Sequence, residues 1–178
     1  MLPMRRESLR HRIRTRSRSG SAAIEFAFVA PIFLMLLFGM FEFGIMFFGR
    51  SVLSNAVQDS ARLIRTGQAQ TGAMQGDFPQ QICNRISKLF DDCAKLTVDV
   101  QVYPAGFSPP TSPFDANGNL QSNYDPGAPC DVVVVRAFYK YTIFTPLIAP
   151  LLGGKNFTYL SAAAAFRNEP FTAAVNGC

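Results

Sequence analysis

The 178-residue sequence contains a single histidine, His11, and no pair of cysteines in CxxC spacing. Zinc sites are built from closely spaced cysteines and histidines, and thioredoxin-like redox centres from CxxC, so neither is expected here. The sequence also lacks a GxSxG nucleophile elbow and a phosphate-binding glycine loop. These absences argue against an enzyme or a solute-binding protein. We expect no catalytic residue, no cofactor and no metal.

Positive charge is concentrated in the first 20 residues, which hold seven arginines and one glutamate for a net charge of +6. The remaining residues hold ten basic and eleven acidic side chains, for a net charge of −1. A basic arm of this kind can bind nucleic acid. Here the arm adjoins a long apolar run, and arginines beside a membrane span are retained on the cytoplasmic side. The pattern predicts a cytoplasmic leader over 1–20 and no nucleic-acid partner.

An apolar run long enough to cross a bilayer follows the leader. Residues 26–41 carry no charge, and residues 22–48 are interrupted by only two glutamates. As a helix, the longer segment would measure about 40 Å, more than the roughly 30 Å of a hydrocarbon core. A cleaved secretory signal is the alternative, with a small-x-small site at 54–56, but its apolar core is usually only about 7–15 residues long. We therefore predict a transmembrane helix over 21–49 in contact with the lipid bilayer.

Helical periodicity continues beyond this span. Apolar side chains recur at helical spacing through residues 52–64, and charged side chains occupy the other side. Gly67 is a residue type that commonly ends helices. The pattern predicts one helix over 22–66, with a first half suited to lipid and a second half that is amphipathic and able to pack on a sheet.

Residues 50–178 are predicted to form a periplasmic α+β domain with a small antiparallel sheet. Residues 95–103 alternate between apolar and polar types, which predicts a half-buried strand with Asp99 on its polar face. A second strand is expected over 130–145, with Arg136 and Lys140 facing outward. A third is expected over 157–167, although its SAAAA run also suits a helix.

The connections in this domain are of two kinds. An apolar stripe predicts a short helix over 79–92. Six prolines between residues 104 and 129 predict a long loop, with a tight turn at Asn117-Gly118.

All four cysteines lie beyond the predicted span, where an oxidising compartment would permit disulfides. They are Cys83, Cys93, Cys130 and Cys178. Four cysteines allow three connectivities. A Cys83–Cys93 pair would close a small local loop, and Cys130–Cys178 then follows by elimination.

Gly20 and Glu25 have a spacing that predicts processing. Gly20 lacks a side chain, so a membrane-embedded peptidase could reach the backbone beside it, and a cut there would leave Ser21 as the new N-terminus. Its amino group, with a pKa of about 8, would be largely protonated. The Glu25 carboxylate of one subunit could then neutralise the Ser21 ammonium of the next, because both charges are costly alone in lipid. The alternative is a flexible joint at Gly20 and an interfacial carboxylate at Glu25.

Glu42 lies about 30 Å along the helix from the start of the span, near the periplasmic headgroups. Two interpretations remain open. Glu42 is either a carboxylate at the lipid interface or part of a helix–helix contact, where Gly39, Gly44 and Gly49 would permit close approach.

The segment GSAAIEF, from Gly20 to Phe26, resembles the G-x-x-x-x-E-F/Y cleavage pattern of pilins and pseudopilins of the Tad (Flp, tight adherence) system. The continuations AFVAP at 27–31 and GMFEFG at 39–44 are similar to the TadE-like pseudopilins in particular. So are Ala61-Arg62 and the segment RNEPF at 167–171.

The resemblance implies that a prepilin peptidase cuts after Gly20, with Glu25 and Phe26 serving processing and assembly. It also implies partners among the pilins, the pseudopilins and the Tad inner-membrane platform. Because the shaft subunits of this system are very short, we expect a minor pseudopilin or assembly protein of a type IVb-like pilus. The chain would cross the inner membrane once, with its N-terminus cytoplasmic. The alternative is an anchored periplasmic partner of the secretion machinery that never enters the filament.

Overall fold

The structure is a computed structural model that describes residues 18–70, 77–90, 92–103, 111–145, 149–152, 155–171 and 178. The chain divides into two compact units, Met1–Phe41 and Glu42–Cys178. The predicted α+β class is confirmed, because a long helix and a short helix accompany a three-stranded antiparallel sheet. Most of the predicted leader lies outside the described residues.

Helix α1, Arg18–Arg65, runs through the end of the first unit and into the second. It begins four residues before the predicted start at residue 22, so Gly20 lies inside the first turn of the helix. Pro31 is also inside α1 and does not end it. The C-terminal end agrees with the prediction to within one residue, and Gly67 follows with a φ of +78°, in the left-handed region that glycine tolerates.

The part of α1 that belongs to the second unit buries one stripe of side chains. Its largest members are Leu53, Val57 and Ile64, all with no exposed surface. Their spacings of four and seven residues, about one and two helical turns, place them on one face of the helix. This face belongs to the same core as Val100 and Val135 of the sheet, which are equally inaccessible. The predicted packing of an amphipathic helix on a sheet is therefore observed.

The sheet contains β1 (Leu96–Tyr103), β2 (Val132–Thr142) and β3 (Phe157–Arg167), in the order β1-β2-β3. Both pairings are antiparallel, with Val100 opposite Val135 and Val135 opposite Ala164. All three predicted strands are present, and the segment with the SAAAA run is a strand because it pairs with β2 along its whole length.

The prediction that the polar face of the sheet is exposed to solvent is wrong at the centre of the sheet. Asp99 has no exposed surface, and Arg136 is 9% exposed. The guanidinium donates to one Asp99 carboxylate oxygen at 2.5 and 2.9 Å and to the carbonyl of Thr111 at 2.8 Å. The other carboxylate oxygen accepts from Gln101 and Asn123, both at 3.0 Å. Residues that follow position 110, among them Thr111 and Asn123, thus return over this face and bury an ion pair that alternation alone assigned to solvent.

The same connection protects the outer edge of β1. The backbone N–H of Val100 donates to the Asn123 carbonyl at 2.8 Å, and the Asp125 N–H donates to the Val100 carbonyl at 3.0 Å. Exposed strand edges are sites of unwanted pairing, so this cover has a structural purpose. The predicted turn at Asn117-Gly118 is also present: Gly118 has a φ of +78°, and its N–H donates to the Asp115 carbonyl at 3.0 Å.

Helix α2, Phe78–Ile86, is shorter than the predicted 79–92. A turn over 87–89 follows it, and a single 3₁₀ turn, Cys93–Lys95, leads into β1. The disulfide Cys83–Cys93 closes this connection, with 5.7 Å between the Cα atoms. The second disulfide, Cys130–Cys178, has a Cα–Cα distance of 5.4 Å. It links Cys178 to the chain two residues before β2 begins. These are the two pairs that the sequence favoured.

Candidate functional site

The N-terminal part of α1 presents its apolar side chains to the outside. Among residues 20–41, Phe26 is 72% exposed, Phe28 74% and Met40 78%. The helix contains a window of high mean hydropathy, and none of that window is buried. At about 1.5 Å per residue, the segment 22–41 is about 30 Å long, which is the thickness of a hydrocarbon core. One long apolar helix near the N-terminus therefore fits a single-pass membrane anchor.

The four residues assigned to processing lie together at the start of this segment. A side chain added at Gly20 would meet no atom within 4 Å, so the backbone there is open on the helix surface. The hydroxyl of Ser21, the next residue, donates to a carboxylate oxygen of Glu25 at 3.0 Å, one helical turn later. Phe26 follows Glu25, and its ring is exposed. Ser21 and Glu25 are thus neighbours within one chain, at the i,i+4 spacing of adjacent helical turns.

Glu42, by contrast, is only 3% exposed and accepts four hydrogen bonds from one segment. One carboxylate oxygen accepts from the Tyr141 hydroxyl at 2.8 Å and from the Phe144 N–H at 3.3 Å. The other accepts from the N–H and the hydroxyl of Thr145, at 3.0 and 2.9 Å. We call this group, Glu42 with Tyr141, Phe144 and Thr145, the Glu42 clamp. It joins α1 to the end of β2.

The clamp differs from both interpretations that the sequence left open for Glu42. Within this chain, the carboxylate is held by its own domain and is nearly inaccessible. Burial and the Glu42 carboxylate together raise the pKa of the Tyr141 phenol, since the neutral hydroxyl donates to that carboxylate. Tyr141 therefore stays protonated and keeps its role as a donor throughout the physiological range.

The three glycines near Glu42 also separate. A methyl group at Gly49 would lie 2.6 Å from the Phe90 ring and 3.2 Å from Leu160, so this glycine permits close approach of α1 to its own domain. A methyl group at Gly44 would meet nothing within 4 Å, which leaves that position open. Gly39 lies in the first unit, three residues before Glu42 on α1.

The C-terminal segment RNEPF at 167–171 holds the far end of α1. The Glu169 N–H donates to the Arg65 carbonyl at 2.9 Å, and the two side chains form an exposed ion pair at 3.2 Å. Phe171 packs on Gly67 so closely that a side chain at Gly67 would collide with the ring. Asn168 is 1% exposed, and its amide donates to the carbonyls of residues 126 and 128 at 2.9 and 3.0 Å. The segment RNEPF therefore fixes the C-terminal end of α1, and we call it the latch.

Sequence reasoning missed the partners of Glu42 and the role of Asn168. A carboxylate in an apolar run signals a need for donors, but nothing local identifies donors that lie 99 to 103 residues away.

Within the described residues, no group of three or more histidine, cysteine or acidic side chains could hold a metal ion. Asp115 instead accepts hydrogen bonds from its own turn, chiefly from the backbone of Asn119, which lowers the pKa of its carboxyl.

Residues 20–62 match the family model described as TadE-like protein. No curated protein and no solved structure matches the chain. The match begins at Gly20, the position expected to precede the cut, and ends in the half of α1 that packs on the sheet. The resemblance stated from the sequence is confirmed over residues 20–62, which are similar to TadE-like proteins.

Proposed function

We propose that the protein is a minor pseudopilin or assembly protein of a Tad (Flp) type IVb pilus, processed by a prepilin peptidase after Gly20. The observation that carries this proposal is the TadE-like match that starts at Gly20 and includes an exposed apolar helix. The helix would be inserted laterally among the helices of other pilins or pseudopilins at the inner-membrane platform. The domain over 50–178 would lie on the periplasmic side, and the role would be structural, not catalytic.

The site supports processing in two ways. Gly20 and Ser21 are exposed on the first turns of α1, where a peptidase at the cytoplasmic face could reach them. Cutting would remove the arginine-rich leader with its net charge of +6 and place an ammonium group one helical turn from Glu25. In a bundle of staggered helices, that ammonium group would pair with the Glu25 carboxylate of a neighbour and fix the axial register.

One observation favours the second candidate, an anchored periplasmic partner that does not enter a filament. The Ser21 hydroxyl already satisfies one oxygen of Glu25 within the chain. Glu25 could therefore sit at a lipid interface without a second subunit, because the hydrogen bond lowers the cost of the carboxylate there.

The mass and N-terminal residue of the mature chain, isolated from cells with and without the prepilin peptidase, test processing. We expect a peptidase-dependent start at Ser21. Gly20→Val should leave the chain uncut, because the side chain blocks approach to the backbone. Gly44→Val, which adds the same side chain in open space on the same helix, should be cut normally. A wild-type chain that stays uncut, or that starts at Val57 as a signal-peptide product would, contradicts the proposal.

A second pair of variants separates the two candidates. In a chain that is still cut, Glu25→Ala should reduce pilus formation strongly if the carboxylate pairs with a neighbouring amino terminus. Ser21→Ala, which removes the hydroxyl donor but keeps the new amino terminus, should form normal pili. Normal pili in Glu25→Ala would exclude charge pairing. Equal defects in both variants would assign the effect to the contact within the chain.

A further inference from the structure

The sheet has two outer edges, and only one of them is covered within the part of the chain that the structure describes. The segment 123–125 hydrogen-bonds to the outer edge of β1. No described residue bonds to the outer backbone groups of β3, a strand of 11 residues. Proteins usually protect such an edge with charges, prolines or a very short strand, yet residues 157–166 contain neither a charge nor a proline. The edge of β3 is therefore open to another strand.

The hydrogen bonds at the two ends of β3 show which backbone groups point outward. At one end, the Ile143 N–H donates to the Asn156 carbonyl at 3.0 Å. At the other, the Asn168 N–H donates to the Asp131 carbonyl at 2.8 Å. Even-numbered residues therefore bond toward β2, and odd-numbered residues point away from it, because the direction alternates along an antiparallel strand. The open edge thus presents the N–H and C=O groups of Phe157, Tyr159, Ser161, Ala163, Ala165 and Arg167.

A groove of about 350 Å³ adjoins this edge, between β3 and α1. We call it the edge groove. Residues 164–166 line it on β3, and side chains between Gln58 and Arg65 line it on α1. Ala164 and Phe166 pack on the core that α1 shares, so the groove lies on the α1 side of the sheet. A fourth strand would lie about 4.8 Å from β3, and every second side chain of that strand would enter the edge groove.

The charges of the edge groove indicate which side chain enters it. Two of the three charged residues in its lining already have partners. Asp59 pairs with Arg85 at 2.8 Å. Arg65 pairs with Glu169 at 3.2 Å. Arg62 is exposed and forms no ion pair with any residue that the structure describes. A carboxylate on the added strand would supply the partner that this guanidinium lacks.

We propose that β3 takes a fourth strand from another protein, an extended segment with an acidic side chain opposite Arg62. Backbone hydrogen bonds to the odd-numbered residues of β3 hold the strand, and the edge groove selects its side chains. A second copy that paired through its own β3 would not supply the acid, because residues 157–166 contain none. The residues involved all belong to the second unit, so the inference adds to the proposed function without resting on processing or on the membrane span.

Hydrogen exchange in the full chain, held in detergent micelles, tests the pairing with a synthetic peptide. The peptide has about eight residues, a usual strand length, and alternates valine with threonine, with glutamate in place of one valine. At about ten times the dissociation constant, it should slow exchange about tenfold at the outward amides of β3. These amides belong to Tyr159, Ser161, Ala163 and Ala165. A peptide that does not bind, or that binds and leaves these amides unprotected, overturns the proposal.

Two variants at one position separate backbone pairing from surface contact. Ala163→Pro removes an outward N–H and breaks no bond to β2, and proline is tolerated on edge strands in this orientation. It should weaken peptide binding about tenfold, because one hydrogen bond is lost and the ring blocks the approach of the strand. Ala163→Val keeps the N–H and should bind as the wild-type chain does. Equal affinity in the two variants, with the β1 amides still protected in both, overturns pairing along the backbone.

The acidic side chain has its own test, in a second peptide with lysine in place of the glutamate. The wild-type chain should prefer the glutamate peptide about three- to tenfold, and Arg62→Glu should reverse that preference. Lys88→Glu makes the same charge change at an exposed position outside the edge groove and should leave the preference as it is. Equal affinity of the wild-type chain for both peptides overturns the pairing with Arg62. Protection of the outward amides without peptide, rising with protein concentration, would place a second copy on β3 and overturn the acidic partner.

Discussion

Replacing Glu42 by alanine should strongly destabilise the second unit, because it removes the acceptor of all four hydrogen bonds in the Glu42 clamp. A hydrogen bond to a charged group contributes about 1.5–3 kcal/mol, and a buried donor left without a partner costs about 1–3 kcal/mol. Phe144 is exposed and Thr145 half-buried, so their donors can turn to water in the variant. The Tyr141 hydroxyl, in a side chain only 5% exposed, cannot do so easily.

The structure therefore predicts a loss of about 3–4 kcal/mol for Glu42→Ala, less than the sum of four independent bonds. Glu42→Gln keeps the shape and one acceptor oxygen but turns an NH₂ group toward the Thr145 donors. It should cost about 2 kcal/mol. Tyr141→Phe removes one charge-assisted bond and should cost about 1.5 kcal/mol.

Denaturant unfolding of the full chain in detergent micelles would measure these differences. Hydrogen exchange at the Phe144 and Thr145 amides should report loss of protection in Glu42→Ala at the same time. Asp59→Asn is the matched control: its carboxylate pairs with Arg85 at 2.8 Å but is 63% exposed, so it should cost only about 0–1 kcal/mol. A Glu42→Ala chain as stable as this control, with both amides still protected, would refute the clamp.

Two further predictions concern the latch and the chain terminus. Gly67→Ala should cost about 2–4 kcal/mol in unfolding experiments, since it adds a collision with Phe171 to the roughly 1–2 kcal/mol of a left-handed alanine. Gly118→Ala is the control, because Gly118 has the same φ of +78° but a methyl group there meets no atom within 4 Å. It should lose only the stability that a left-handed alanine costs. Equal losses in the two variants would show that the contact with Phe171 is unimportant. Replacing both Cys130 and Cys178 by alanine opens a loop with a sequence separation of 48, for which chain entropy predicts a loss of up to about 4 kcal/mol. A melting temperature that does not change would contradict that role.

The helices and strands could be predicted because each has a local pattern. The spacing of four and seven residues between Leu53, Val57 and Ile64 defines the buried face of α1, and alternation defines β1. The SAAAA run of β3 was ambiguous for a physical reason. Alanine suits both helix and strand, and only the pairing with β2 decides between them.

The polar contacts could not be predicted because they depend on the return of distant chain. Alternation correctly placed Asp99 opposite the core face of β1, yet it could not show that the segment after residue 110 covers that face. A buried charge needs a partner and further hydrogen bonds. Arg136 lies opposite Asp99 in the register of β1 and β2, so this pair would have followed once the two strands were aligned.

The two glutamates of α1 differ in how much acceptor capacity they have left, and this decides which one can recruit another subunit. A carboxylate offers about four lone-pair sites. Glu42 receives four hydrogen bonds from its own domain and is nearly inaccessible, so a neighbouring helix would have to break the clamp to use it. Among the described residues, Glu25 receives one, from Ser21, and it lies on the exposed segment. Of the two, Glu25 therefore has the acceptor capacity for the contact that we propose with a processed amino terminus, whereas the oxygens of Glu42 are occupied by Tyr141, Phe144 and Thr145.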